Sequence, residues 1–184
     1  MSLIVDTSPV EKKIGGAKVR LVKDDISAMD IEAFVYYATS DLKLGSGHGN
    51  AISMRGGPSI QKELDQIGVL GATEAVVTGA GELKAQYIIH AVGPKFQEED
   101  MERKLETTVL NSLKKADEKG IKALAFPPMG AGFYGIGLDV TAEVMLTTIE
   151  GYLKEGNTGL KEVVICANDS RDFVPFRKRM EELR

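Results

Sequence analysis

Apolar and polar positions along the chain follow two rhythms. Ala17–Val22 sets Val19 and Leu21 against Lys18 and Arg20, the period-two alternation of a half-buried strand. Ala33–Ala38 is almost continuously apolar, as expected of a strand covered on both faces. Glu74–Thr78, Tyr87–Val92, Ala123–Phe126 and Glu162–Ala167 read as further strands, and Leu3–Val5 as a short one leading into an irregular connection. Between the strands the period lengthens. Ala51–Arg55 and Ser59–Gln66 read as helices divided by Gly56-Gly57-Pro58, with Pro58 at the first helical position and Gly68 as the stop. Met101, Leu105, Val109 and Leu113 recur at four-residue steps within a helix predicted over Glu98–Lys119 and closed by Gly120. Asp139 suits the N-cap of a helix to Leu153 that turns Val140, Val144, Ile149 and Tyr152 inward, and Asp172–Arg184 forms the last helix. The short join Gly79–Glu82 predicts an antiparallel pair. The pattern is that of a three-layer α/β/α domain with a mixed, mostly parallel central sheet.

Two glycine-rich loops interrupt this pattern in the same way. Leu44-Gly45-Ser46-Gly47-His48-Gly49-Asn50 follows the Ala33–Ala38 strand and precedes a helix. Gly130-Ala131-Gly132-Phe133-Tyr134-Gly135 follows the Ala123–Phe126 strand and also precedes a helix. Glycine lets another backbone or a ligand approach closely, and free N–H groups at the mouth of a helix attract anions. Two such loops at one end of a sheet can hold a diphosphate between them. The second also spells G-x-G-x-x-G, but a dinucleotide-binding reading needs an acidic residue at a strand end about 20 positions on, and Glu155 instead follows a helix.

Composition narrows the function. A length of 184 residues suits one domain, with 1–16 as an N-terminal strand extension. There are 23 Lys and Arg against 27 Asp and Glu, a net charge of −4, so no basic field favours nucleic acid as the main partner. The single cysteine, Cys166, excludes an internal disulfide and reads as a buried, inert thiol. The two histidines have no carboxylate or cysteine cluster around them, so no metal site or cofactor is expected. No long apolar run indicates a signal peptide or a membrane span, and the expected compartment is the cytoplasm. His90 alternates within a strand as a core histidine would, and Tyr36 and Tyr37 should face opposite layers.

Four blocks together resemble the macro domain family, which binds ADP-ribose and related nucleotides, and cover most of the chain from about Val19 onward. They are Asp25-Ile26-Ser27 after a strand; Ala38-Thr39-Ser40-Asp41-Leu42 running into the first glycine loop; Gly79-Ala80-Gly81-Glu82 through His90-Ala91-Val92-Gly93-Pro94; and Phe126-Pro127 leading into the second loop. The resemblance implies a single macro domain and a set of roles. Asp25 would accept a hydrogen bond from the adenine amino group, where its bland alternative is capping a turn. Ile26 would add backbone contact to the ring. Gly45, Ser46, Gly47, His48 and Gly49 and the second loop from Gly130 through Ala131, Gly132, Phe133 and Tyr134 would hold the diphosphate and distal ribose. Asn168, and with it Phe173, would cover the adenine. An ADP-ribosylated protein would be a natural further partner.

The chain departs from the family's hydrolase branch at two points. Where those proteins read Asn-Ala-Ala-Asn, this one has Tyr36-Tyr37-Ala38-Thr39, with one Thr39 hydroxyl in place of an amide. Where they carry an aspartate in the glycine loop, this one has Gly49, followed by Asn50. Binding of ADP-ribose is therefore the expected function. The alternative is hydrolysis of an ADP-ribosyl bond, O-acetyl-ADP-ribose or ADP-ribose 1″-phosphate, with His48 as the acid/base candidate; a single-strand or RNA-binding module is a third.

Overall fold

The computed structural model describes residues 4–45, 47–95, 97–130 and 136–184. Its strands are β1 (Val10–Ile14), β2 (Ala17–Lys23), β3 (Ala33–Tyr37), β4 (Ala75–Gly79), β5 (Tyr87–Ala91), β6 (Ala123–Phe126) and β7 (Glu162–Ala167). The helices are α1 (His48–Gly56), α2 (Ser59–Ile67), α3 (Met101–Lys119), α4 (Leu138–Glu155) and α5 (Ser170–Glu182), and a 3₁₀ turn occupies Ile26–Ala28. The sheet runs β1-β2-β7-β6-β3-β5-β4. Its inner pairs are parallel, and β1 and β4 close the two edges antiparallel.

Each face of the sheet carries its own core. Val19, Leu21, Val35, Ile89, Phe126, Val163 and Ile165 point to the face covered by α3, α4 and α5. Phe34, Ile88, Ala125, Val164 and Cys166 point the other way, under α1, α2 and the 3₁₀ turn. The alternation that marked the strands thus becomes two cores, one on each side.

The predicted elements are present, with four corrections. The expected strand at Leu3–Val5 does not form at Ile4 or Val5 (Leu3 lies outside the described residues); the first strand is Val10–Ile14, which pairs with β2 from Val10↔Leu21 to Ile14↔Ala17. Pro58 is the N-cap of α2 and not its first helical residue. Asp139 does not cap α4: Gly137 does, and Asp139 falls in the first turn, where its charge still favours the positive helix end. The inward stripe of α4 is therefore Ala142, Met145, Leu146, Ile149 and Leu153, while Val140, Val144 and Tyr152 pack only at its margin.

The sheet opens where the glycine loops leave it. The β3–β6 ladder stops after Ala33↔Leu124 and Phe34↔Ala125. Beyond that point β3 stays paired with β5 as far as Tyr37↔Ala91, and β6 with β7 as far as Phe126↔Ile165. The chain leaving β3 goes to α1 on one face, and that leaving β6 goes to α4 on the other. Such a switch point, outside the carboxyl ends of parallel strands, is where α/β sheets leave a crevice.

Candidate functional site

The carboxyl ends of β2, β3, β6 and β7 lie along this same edge of the sheet. At the β2 end, Asp25 caps the 3₁₀ turn: its Oδ1 accepts from the backbone N of Ser27 at 3.0 Å and from the Ser27 hydroxyl at 2.7 Å. Oδ2 accepts from Arg55 Nη1 at 2.7 Å, and the same nitrogen reaches Ser27 Oγ at 3.1 Å. Burial raises the Asp25 carboxyl, but the bonds from Arg55 and Ser27 outweigh it and hold the group below its usual range, ionised at neutral pH. The cap and the ion pair thus use both carboxylate oxygens of one partly exposed side chain. Ile26 is buried beside it, so only its backbone can serve a ligand.

At the β3 end, the Thr39 hydroxyl donates to Asp41 Oδ1 at 2.6 Å. What it keeps for a ligand is acceptor capacity. Leu42 then turns with φ +57°, a conformation that costs a bulky residue, and its side chain is buried. Gln61 of α2 clamps this turn by mimicking a backbone pair: its Nε2 donates to the Leu42 carbonyl at 3.0 Å and its Oε1 accepts from the Leu44 N–H at 3.0 Å. The glycine loop starts from that clamp. Gly47, with φ +57° and ψ −127°, is the N-cap of α1 and offers no side chain to the first-turn N–H groups. His48 opens the helix, half-buried.

Gly49 is buried in the first turn, and a Cβ there would lie 2.4 Å from the Tyr36 hydroxyl. The two departures from the hydrolase pattern are therefore physically linked. The phenol of Tyr36 fills the space that a side chain at position 49 would need. Tyr36 also meets His90 edge-on at 5.9 Å between ring centres. His90 donates or accepts through Nε2 with Thr78 Oγ1 at 2.9 Å, while its Nδ1 has no partner among the described residues. Burial drives the His90 pKa down to about 3, so it is neutral. Tyr37 faces the other layer, as expected, and donates to the Pro94 carbonyl.

At the β6 end, Gly130 has φ +74° and packs so tightly that a Cβ would meet Ile136 Cδ1 at 2.7 Å. Its carbonyl accepts from the Ile136 N–H at 3.1 Å, drawing the two ends of the second loop together. Gly137 then caps α4 without a side-chain bond, as Gly47 does for α1. Ser46, Ala131, Gly132, Phe133 and Tyr134, which the sequence also marked, lie outside the described residues.

At the β7 end Asn168 is exposed. Phe173 is not: it is fully buried among α5 core residues and cannot cover a base, because the first turn of α5 points it into the sheet. Cys166 is the buried thiol expected, pushed up to about 12 chiefly by burial and next by Asp24. Arg55, Leu42 and Gln61 were not marked by the sequence. Arg55 enters there only as the end of a predicted helix, and its distance to Asp25 is what sets it apart.

The comparisons with known proteins agree with this fold. The family model "Macro domain" matches residues 35–145. A macro domain-containing protein of Caldanaerobacter subterraneus subsp. tengcongensis is 39% identical over 172 residues, covering 90% of this chain and 97% of that protein. One of Listeria monocytogenes is 36% identical over 168 residues, covering 88% and 96%. Among solved structures, an Oceanobacillus iheyensis macrodomain with ADP superposes with a TM-score of 0.90 at 24% identity, covering 96% of each chain. A Trypanosoma brucei macrodomain in complex with ADP gives 0.82 at 21% identity, covering 88% of this chain and 68% of that one. No helix among the described residues is long and apolar enough to cross a membrane. By its matched residues and its relatives, the chain belongs to the macro domain family.

Proposed function

We propose that this protein binds ADP-ribose, or a close nucleoside-diphosphate relative, in the crevice between the ends of β3 and β6. The observation that carries the reading is the early end of the β3–β6 ladder, flanked by two helices that each begin at a glycine without a side-chain cap. Backbone N–H groups and two helix N-termini then face one gap, which suits a diphosphate. Asp25 stands at the end where an adenine amino group would sit. Thr39 stands at the end where the distal ribose could donate a hydroxyl proton. The Oceanobacillus and Trypanosoma macrodomains with ADP support the same occupant. An ADP-ribosylated protein would present the same group on a larger partner.

Binding is favoured over hydrolysis by the pairing of Gly49 with Tyr36. No carboxylate stands at position 49 to activate a water, and the Tyr36 phenol closes the space for one. His48 remains the residue through which hydrolysis would run, and an RNA-binding role lacks a basic field.

Calorimetric titration with ADP-ribose, ADP and AMP tests the reading. The expected result is micromolar binding of ADP-ribose that weakens sharply for AMP and is lost in Asp25→Ala. Unchanged affinity in Asp25→Ala, or binding of RNA in preference to ADP-ribose, overturns it. Turnover of an ADP-ribosyl substrate that disappears in His48→Ala would establish the hydrolase alternative.

A further inference from the structure

The two outermost strands of the sheet differ in how their free backbone edge is finished. At β4, against which α2 and α3 both pack, the Gly79 N–H donates to Glu63 Oε1 at 3.1 Å. At β1 no such cap exists among the described residues. The Lys18 N–H of β2 donates to the Lys161 carbonyl, just before β7, at 2.9 Å. The even residues of β2 therefore turn toward β7, and Ala17, Val19 and Leu21 toward β1. Their partners Ile14, Lys12 and Val10 bond inward, so the N–H and C=O groups of Glu11 and Lys13 point out of the sheet. The segment before β1 forms no ladder with it and is held at α5, where Arg177 donates to the Asp6 carbonyl.

The charges along this open strand select a partner. Glu11 and Lys13 are both exposed, on the face opposite Val10 and Ile14. Glu11 reaches Lys18 Nζ at 3.5 Å, an exposed pair of little strength. Lys13 stands directly opposite Lys18, a destabilising like charge, and has no carboxylate partner among the described residues. A lysine on an outer strand commonly guards it against pairing. Here the order of the charges admits one partner all the same. An antiparallel copy of Val10-Glu11-Lys12-Lys13-Ile14, related by a two-fold axis at Lys12, sets each Glu11 opposite the partner's Lys13 and each Val10 opposite the partner's Ile14. The same register brings the outward backbone groups of positions 11 and 13 face to face. The neighbouring registers put Glu11 on Glu11 or Lys13 on Lys13.

We propose that this protein pairs with a second copy of itself through β1, joining two seven-stranded sheets into one across the axis at Lys12. Each facing Glu11 and Lys13 exchange both backbone hydrogen bonds, and their side chains form an ion pair at two symmetric places. Lys13 thereby gains the carboxylate that its own chain does not provide. Lys12 meets its own copy on the axis, which opposes the pairing and makes it depend on concentration. The inference is independent of what the crevice binds, since β7 and β2 separate β1 from the gap between β3 and β6.

Sedimentation equilibrium over a concentration series tests this on the wild type, Glu11→Lys, Lys13→Glu, the double variant and Lys12→Thr. The wild type is expected to reach a dimer. Each charge reversal alone weakens dimerisation by about 10-fold or more, because like charges then face each other at both symmetric places. The double variant regains the dimer, and an equimolar mixture of the two single variants forms a heterodimer tighter than either variant alone. Lys12→Thr tightens the dimer by removing the repulsion on the axis. Both reversed side chains are exposed, so unchanged thermal melts separate lost association from lost folding. A wild type that stays monomeric up to about 1 mM overturns the proposal. So do single variants that dimerise as the wild type does, or a double variant no tighter than the singles.

Discussion

Glycines four residues apart in the first loop do opposite work. At Gly45 and Gly47 an added Cβ would meet nothing within 4 Å. At Gly49 it would lie 2.4 Å from the Tyr36 hydroxyl and 3.1 Å from the ring carbon bearing it. Gly93 is filled in the same manner by Tyr37, at 2.4 Å, and Gly130 by Ile136, at 2.7 Å. The outer glycines Gly45 and Gly47 leave their backbone open. The inner ring of glycines makes room for the protein's own side chains. The same residue type therefore signals a place for a ligand at one point and close internal packing at the next.

The sharpest break of this contrast is to put a carboxylate back at the inner position. Gly49→Asp forces a side chain against a ring fixed on β3 and buries a charge, with an expected loss of about 3 kcal/mol or more. Thermal melts would show this as a fall of roughly 6–12 °C for a chain of this size. Tyr36→Asn removes the obstruction, so the double variant should be more stable than the sum of the single effects allows. A positive coupling in that cycle establishes the link between the two departures. Strict additivity would break it.

Gly130→Ala is the next largest. The residue must hold φ +74° and also displace the end of Ile136, which can yield. Most of the expected loss of about 2 kcal/mol is thus backbone strain. Ile136→Ala in the same background should recover little of it, and a full recovery would mean that packing, not φ, demands the glycine.

The filled region is also buried, and His90 beside Tyr36 reports it. Its folded pKa is near 3 against an ordinary 6.5, so as pH falls the unfolded chain takes up the proton first. Its neutral form leaves stability intact above pH 6.5; stability is then lost on the way down to about pH 3, with a slope approaching about 1.4 kcal/mol per pH unit. Denaturant melts of the wild type between pH 7 and 4 should show that decline, and His90→Gln, which can still reach Thr78, should flatten it. Identical slopes in the two proteins would mean that His90 is hydrated.

How much of this was legible beforehand follows from which interactions are local. The strands and helices could be read because alternation and four-residue spacing are set by neighbours in sequence, and the Asp25 cap because its turn chemistry is local too. The errors arose where position depends on distant elements. Gly137 gives no capping signal of its own, so Asp139 took the role it should have had. Phe173 could as well cover a cleft as fill a core until the direction of α5 is known. Arg55 meets Asp25 across 30 residues and Gln61 meets Leu42 across 19, and neither contact leaves a spacing signature. Tyr36 could be assigned to a face, but not the reach of its hydroxyl to Gly49.

Gly45→Ala has the smallest expected effect on stability and separates the two kinds of glycine most cleanly. Its φ is not in the left-handed region and open space surrounds its Cβ, so the melt should stay within about 0.5 kcal/mol of the wild type. If the loop backbone lies against a diphosphate, however, a methyl group there occupies the approach itself. Affinity for ADP-ribose should then fall severalfold while AMP, lacking the second phosphate, changes less. Gly47→Ala would confuse the result, because φ +57° adds strain to any loss of contact. A variant at position 45 that melts and binds like the wild type would place the diphosphate elsewhere in the crevice, and the open glycines would then be loop geometry alone.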